Sequence, residues 1–367
     1  MNVELFATAP VLRPLMDEVA ERMTSVLASG RYILGPEVEA FEQEFAEFLG
    51  VRHCVGVANG TEALTIALRA LGVEPGDEVV VPALTFFATA EAVANCGAVP
   101  VFADVDPETW VMTAATAEPA IGPRTKAVIP VHLYGNPAPM DELRELADRH
   151  GLALLEDAAQ AAGARYGGKM AGALGDAATF SFFPSKNLGG FGDGGAVVTN
   201  DDEVAAAVRR LRFHGSDDRV IHTEIGYNSR LDDLQAAGLR VLLRHLGDWT
   251  AARRRAAAAY AEVGLGPAVT PPIETAGGES CYHLYVVRTK DRNELARHLT
   301  EAGIGARAYY TTPLHRQPAL ERFVTGPLPA TEAAAAESLA LPMGPALGEA
   351  EVALVGEAVR GALADQG

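Results

Sequence analysis

Lysine is scarce in this chain: among 367 residues only Lys126, Lys169, Lys186 and Lys290 carry an amine side chain. Cysteine is scarcer still. Cys54, Cys96 and Cys281 are odd in number and far apart, which suits neither a disulfide framework nor a zinc site, so no metal is expected. No stretch approaches the roughly 18 apolar residues that span a bilayer. The opening Met-Asn-Val-Glu-Leu-Phe-Ala lacks the basic segment and apolar run of a signal peptide, so a cytoplasmic protein without a membrane partner is expected. Positive charge is short as well: 30 lysines and arginines face 48 aspartates and glutamates, a formal net charge of -18. That balance argues against nucleic acid as a partner. It leaves room for a small phosphorylated ligand, because a helix N-terminus and a few arginines cradle a phosphate locally. P-loop, H-E-x-x-H, C-x-x-C and G-x-S-x-G motifs are all missing, which removes support for the chemistries they carry.

The length predicts two unequal domains. From about residue 50 to about 200, short apolar runs (Cys54–Val57, Glu78–Val81, Val99–Ala103, Ala127–Val131, Leu152–Leu155) alternate with helical patterns (Thr61–Leu71, Ala88–Asn95, Met140–His150). Such alternation is the mark of βαβ units around a mostly parallel sheet. Before it, Val38, Phe41, Phe45, Phe48 and Leu49 fall at helical spacing. A long helix from Leu239 to Val263 reads as a connector, followed by a strand at His283–Arg288, a helix at Arg292–Ala302 and a strand at Ala306–Tyr310. The expected division is a large α/β domain over residues 1–245 and a smaller α+β domain over 246–367.

What stands out against this background is the run Thr179-Phe-Ser-Phe-Phe-Pro-Ser-Lys186, followed by a glycine cluster and the strand Ala196–Thr199. A lysine held against apolar walls has its charged form disfavoured, so its amine becomes a nucleophile near neutral pH. Amines of this kind form Schiff bases with carbonyls, pyridoxal phosphate included. The apolar run Leu152–Leu155 leads into Glu156-Asp157, and ligands of open α/β sheets bind beyond the carboxyl ends of the strands. Asp157 there suits the protonated ring nitrogen of that cofactor; the alternative is that Glu156 or Asp157 merely caps a following helix. Gln160, about one helical turn on, would reach the ring hydroxyl. Asn59-Gly60-Thr61-Glu62 is a capping box, and the same geometry aims the N–H groups of Gly60 and Thr61 at an anion, with Ser181 nearby. Of the pair after the next strand, Phe86 is expected to stack on the ring and Phe87 to join the core; the alternative is that both are core phenylalanines. Gly190-Phe-Gly192-Asp-Gly-Gly195 matches a dinucleotide fingerprint in letters only, because a strand rather than a helix follows it.

Taken in order, these motifs resemble the DegT/DnrJ/EryC1/StrS sugar aminotransferases, within the fold-type I pyridoxal-phosphate enzymes. The resemblance runs from Gly30-Arg-Tyr-Ile-Leu-Gly-Pro36 through Gly226-Tyr-Asn-Ser-Arg-Leu-Asp232 to Pro313-Leu-His315-Arg-Gln-Pro318. It implies an α/β fold with a large mostly parallel sheet and a smaller C-terminal α+β domain. It implies Lys186 as the Schiff-base lysine and proton carrier, Asp157 at the pyridine nitrogen and Gln160 at the ring hydroxyl. Gly60, Thr61 and Ser181 would hold the phosphate, and Phe86 would stack. Asn228 would reach the phosphate of a neighbouring subunit, so that a homodimer shares its sites. Arg31, Tyr32 and His315 are the implied substrate contacts, and His214 is read as structural. The implied reaction moves an amino group from L-glutamate to a nucleotide-linked ketosugar, at C3 in preference to C4, with pyridoxamine 5′-phosphate between the two stages. Alternatives are a sugar dehydratase or deoxygenase using the same cofactor, and a regulatory protein that keeps the fold without turnover.

Overall fold

The computed structural model describes residues 2–323 and 326–364. Its short runs rich in valine and alanine become strands buried on both faces, as expected where helices cover a sheet from two sides. Seven of them form one sheet, in the order His53–Val57, Gly195–Thr199, Ala177–Ser181, Ala153–Asp157, Thr125–Val128, Glu78–Pro82, Val99–Ala103. Neighbours from Ala177–Ser181 to Val99–Ala103 run parallel, whereas Gly195–Thr199 is antiparallel to both of its neighbours. The carboxyl ends of the parallel strands therefore open on a single edge of the sheet. The start of Gly195–Thr199 arrives at that same edge, with Gly195 opposite both Val57 and Ser181.

Strand alternation fixes what the lysine run does. Phe180 and Phe182, each 1% exposed, point into the core, whereas Ser181 between them faces the other way. Their rings meet the helix Pro36–Leu49 edge-on, Phe180 against Phe45 at 5.0 Å and Phe182 against Phe41 at 5.2 Å. Each such pair adds about 0.5–1.5 kcal/mol beyond area burial. The phenylalanines that flag the lysine thus hold the end of its strand in place.

Beyond the sheet, Leu246–Val263 packs against the C-terminal helix Glu349–Ala364. These helices share a core with Tyr285–Arg288, which pairs antiparallel with Ser338–Leu341. Val3 belongs to that core too, bridging to Ile304. Two elements differ from the sequence reading. The expected single helix over 239–263 is two, Asp233–Leu243 and Leu246–Val263. The first is buried almost all round beneath the helices Met16–Ser29 and Pro36–Leu49, and the second carries the chain away to its own core. The expected strand at 306–310 is a single bridge, Arg307 to Ala340. The Tyr309 carbonyl is taken by the hydroxyls of Tyr134 and Ser338 instead of a ladder partner. No helix among the described residues is long and apolar enough to cross a membrane.

Candidate active site

Chain segments from both ends of the sequence deliver polar groups to the open edge of the sheet. After Ser181 the chain turns: the Lys186 N–H donates to the Phe183 carbonyl at 2.8 Å, and the Gly190 N–H to Phe182 at 2.7 Å. The turn is so tight that a Cβ on Gly189 would lie 2.4 Å from the Pro184 carbonyl oxygen, which is why glycine stands there. Lys186 is left facing the cleft, and burial draws its pKa down to about 8, against the opposing pull of Asp157.

Asp157 ends the central strand at 5% exposure. Its Oδ2 accepts from the Thr89 hydroxyl at 2.9 Å and its Oδ1 from the Ala159 N–H at 3.2 Å. Burial raises its pKa, while those hydrogen bonds and the charge of Lys186 act in the other direction. A buried carboxylate with no hydrogen-bonded cation is costly, and a protonated ring nitrogen is the kind of group that offsets that cost. Its neighbour Glu156 points the other way and is structural. It accepts from Gly172, Leu174 and Gly175 N–H at 2.7, 2.8 and 2.7 Å and meets His132 Nε2 at 2.9 Å. Because Ala138 N–H donates to His132 Nδ1, the ring proton lies on Nε2 and is given to Glu156.

The helix Gly60–Ala70 begins beside Ser181. Asn59 caps it by accepting from Glu62 N–H at 2.9 Å, and Gly60 and Thr61 line the cleft. A Cβ on Gly60 would stand 2.8 Å from Ser181 Cβ, and one on Gly195 2.5 Å from the Asn59 carbonyl carbon. Gly60 therefore lets this helix start approach Ser181 on the lysine strand, and Gly195, the last glycine of the false dinucleotide fingerprint, lets it approach the neighbouring strand Gly195–Thr199. Gln160 is held at both ends of its amide, accepting from Tyr134 N–H at 2.8 Å and donating to the Tyr310 hydroxyl at 3.1 Å. Phe86 is 55% exposed, with its ring 6.0 Å from that of Tyr310.

One cleft of about 680 Å³ brings together Gly60, Thr61, Phe86, Asp157, Gln160, Ser181 and Lys186. A helix start flanked by Ser181, an exposed aromatic edge, a carboxylate and an amine, all lining one cleft, suit pyridoxal phosphate in size and chemistry. Asn228 is exposed, pairs through its backbone with Phe213 and lies outside this cleft. Arg31 and Tyr32 are exposed in a separate shallow depression with Arg219. His315 does not reach the cleft: it is 2% exposed, and its Nε2 meets Glu332 at 3.1 Å. The sequence reading missed Thr89, Tyr310 and His283, all of which line the cleft. Thr89 lay within reach, one helical turn beyond Thr85 on the segment that carries Phe86. Tyr310 and His283 come from distant chain and are joined to the cleft only by folding.

Comparison with known proteins gives a consistent result. The model of the DegT/DnrJ/EryC1/StrS aminotransferase family matches residues 15–360. A Streptomyces venezuelae protein named dTDP-3-amino-3,4,6-trideoxy-alpha-D-glucose transaminase is 48% identical over 349 residues, covering 94% of this chain and 92% of its own. A Geobacillus stearothermophilus protein named pleiotropic regulatory protein is 46% identical over 364 residues, covering 98% of each. The crystal structure of S. venezuelae DesV in complex with a ketimine intermediate has a TM-score of 0.95 at 46% identity, covering 98% of both chains.

Proposed function

The chain belongs to the DegT/DnrJ/EryC1/StrS aminotransferase family, and on that premise we propose that it transfers an amino group from L-glutamate to the keto carbon of a nucleotide-linked sugar, C3 before C4. The observation that carries the reading is the single lysine of lowered pKa sharing a cleft with the buried carboxylate of Asp157. The cofactor of this family is pyridoxal 5′-phosphate. Gly60, Thr61 and Ser181 would hold its phosphate, Phe86 would stack on its ring, Gln160 would meet the ring hydroxyl, and Asp157 the ring nitrogen. When bound, it supplies an electron sink that stabilises negative charge on the carbon losing its proton.

The protein's own part is proton handling. With its pKa drawn to about 8, Lys186 keeps a neutral fraction at physiological pH. Its Nζ takes the proton from the donor's α-carbon and returns one to the acceptor's former keto carbon, so that one residue serves both halves as base and acid. Asp157 would face the ring nitrogen, and Thr89 and Ala159 fix the direction of its two oxygens. The preference for C3 draws on Gln160 and on the 3-amino product in the name of the S. venezuelae relative. Retention of Lys186 and Asp157 in one cleft favours turnover over a purely regulatory role.

The test is transamination of a panel of UDP-, dTDP- and GDP-linked 3-keto and 4-keto sugars by the holoenzyme with L-glutamate, with products identified by NMR. A 3-amino sugar is expected. Failure of every ketosugar, or release of a deoxygenated product, would overturn the reading.

A further inference from the structure

The histidine that enters the cleft is His283, and its surroundings determine which of its nitrogens is available. Asn187, next to the lysine, donates its Nδ2 to the Cys281 carbonyl at 3.1 Å, which fixes the direction of the amide. Asn187 Oδ1 therefore faces His283 Nδ1, at 3.2 Å, and an amide oxygen only accepts. The imidazole proton must lie on Nδ1. His283 Nε2 is then an unprotonated lone pair, and among the described residues it has no hydrogen-bond partner. It is not sealed in either, since it is absent from the enclosed orphan atoms while the residue lines the cleft beside Lys186.

The ring is rigidly held. Phe6 stacks on it at 6.3 Å, and Arg253 donates to the carbonyls of Tyr282 and His283 at 3.0 and 3.4 Å. Burial, followed by the charges of Lys186 and Arg253, holds the His283 pKa well below the ordinary histidine value. A lone pair aimed at the cleft repels a carboxylate, and the nearby Lys186 and Arg253 disfavour a second cation, so neither end of an amino-acid donor suits this position. A neutral hydroxyl does.

Resting on the reading given under Proposed function, we propose that His283 Nε2 accepts a hydrogen bond from a hydroxyl of the ketosugar, which makes His283 a binding residue for the acceptor rather than for the amino donor. The sugar keeps its hydroxyls throughout, so no bond to His283 forms or breaks. Its part is to orient the keto carbon toward Lys186.

Two substitutions separate the ring's two nitrogens. In His283→Asn the side-chain amide can still donate to Asn187 but has nothing at the Nε2 position. In His283→Gln an acceptor oxygen reaches the Nε2 position. The glutamate and ketosugar half-reactions of the holoenzyme are to be followed separately in single turnovers. We expect His283→Asn to slow the ketosugar half-reaction about ten- to hundredfold, the scale of one acceptor hydrogen bond in an enclosed site. The glutamate half-reaction should change less than about threefold, and His283→Gln should recover part of the loss. A ketosugar lacking the hydroxyl beside its carbonyl should lose rate with the wild type and lose nothing further with His283→Asn. Equal slowing of both half-reactions, or no slowing of either, would overturn the inference. A wild type that runs the glutamate half-reaction but accepts no ketosugar refutes the functional reading itself, a failure visible without any variant.

Discussion

Lys186 carries a thermodynamic burden that is separable from its chemistry. Its amine ordinarily titrates at 10.5 and is lowered to about 8 by burial in the folded chain. Between those two values the unfolded chain binds more protons than the folded one, so stability rises with pH across that window. Below pH 8 the burden is present in full, and above 10.5 it is gone. Lys186→Met removes the titrating group while keeping an unbranched apolar stem. In the cofactor-free protein this variant should exceed the wild type at pH 7 by up to about 3 kcal/mol, with the gap closing as pH approaches 10.5. Urea unfolding at pH 7 and pH 10 measures it, and groups common to both proteins cancel in the difference. A gap that stays constant with pH would mean that Lys186 is not held in a desolvated position. At this scale the sequence was informative about lysine, because one amine amid phenylalanines and glycines is chemically conspicuous. It was uninformative about histidine, because His283 and His315 look equally isolated in one dimension and only packing decides which of them meets the cleft.

The strand Ala153–Asp157 divides its labour between two adjacent carboxylates by alternation alone. Asp157 faces the cleft, whereas Glu156, fully buried, gathers three backbone N–H groups of the loop 172–175 together with His132. Removing that carboxylate orphans all four donors at once. Glu156→Ala should cost about 3–5 kcal/mol, and Glu156→Gln less, since its amide still offers one acceptor oxygen. Both are read from urea midpoints of the cofactor-free protein, and a loss below about 1 kcal/mol for the alanine variant would show that water replaces the carboxylate. Elements of this kind were legible where an apolar run ended in a polar signal: Ala88–Asn95, Met140–His150 and Val99–Ala103 lie where the periodicity puts them. The break between Leu243 and Leu246 was not legible, because alanine- and leucine-rich sequence favours helix on either side of it. Its cause is tertiary, since one half is needed beneath the sheet domain's helices and the other in a different core. The missing strand at 306–310 has the same origin, as hydroxyls from distant chain claim the Tyr309 carbonyl.

At the scale of the whole molecule the cleft has a charge problem. Among its lining residues Lys186 is the one lysine or arginine, set against Glu62, Glu91, Asp157 and Asp193. A phosphorylated cofactor and a nucleotide-linked substrate need more donors than this chain alone brings to the site. The exposed segment that carries Asn228 has them in surplus: Arg219 and Arg230 hold their guanidiniums over Phe213 at 4.9 and 5.3 Å. The same segment exposes Val220, Ile221 and Ile225 at 77%, 64% and 84%, an apolar strip that water alone does not favour. A chain with net charge -18 repels its own copies, so association requires a specific contact of this sort. We propose that a second copy lays this segment across the cleft and completes the phosphate cup with Asn228. C2 symmetry makes the exchange reciprocal, with two equivalent sites per dimer. Mixing Lys186→Ala with Asn228→Ala protein tests it. In a heterodimer one site then combines both lesions and the other has neither. After subunit exchange an equal mixture should recover about a quarter of wild-type activity, from half the dimers with one intact site each. Recovery should follow the rate of exchange, beginning from the residual activity of the separate variants. An active monomer in light scattering, or a mixture that never rises above its components, would refute the shared site.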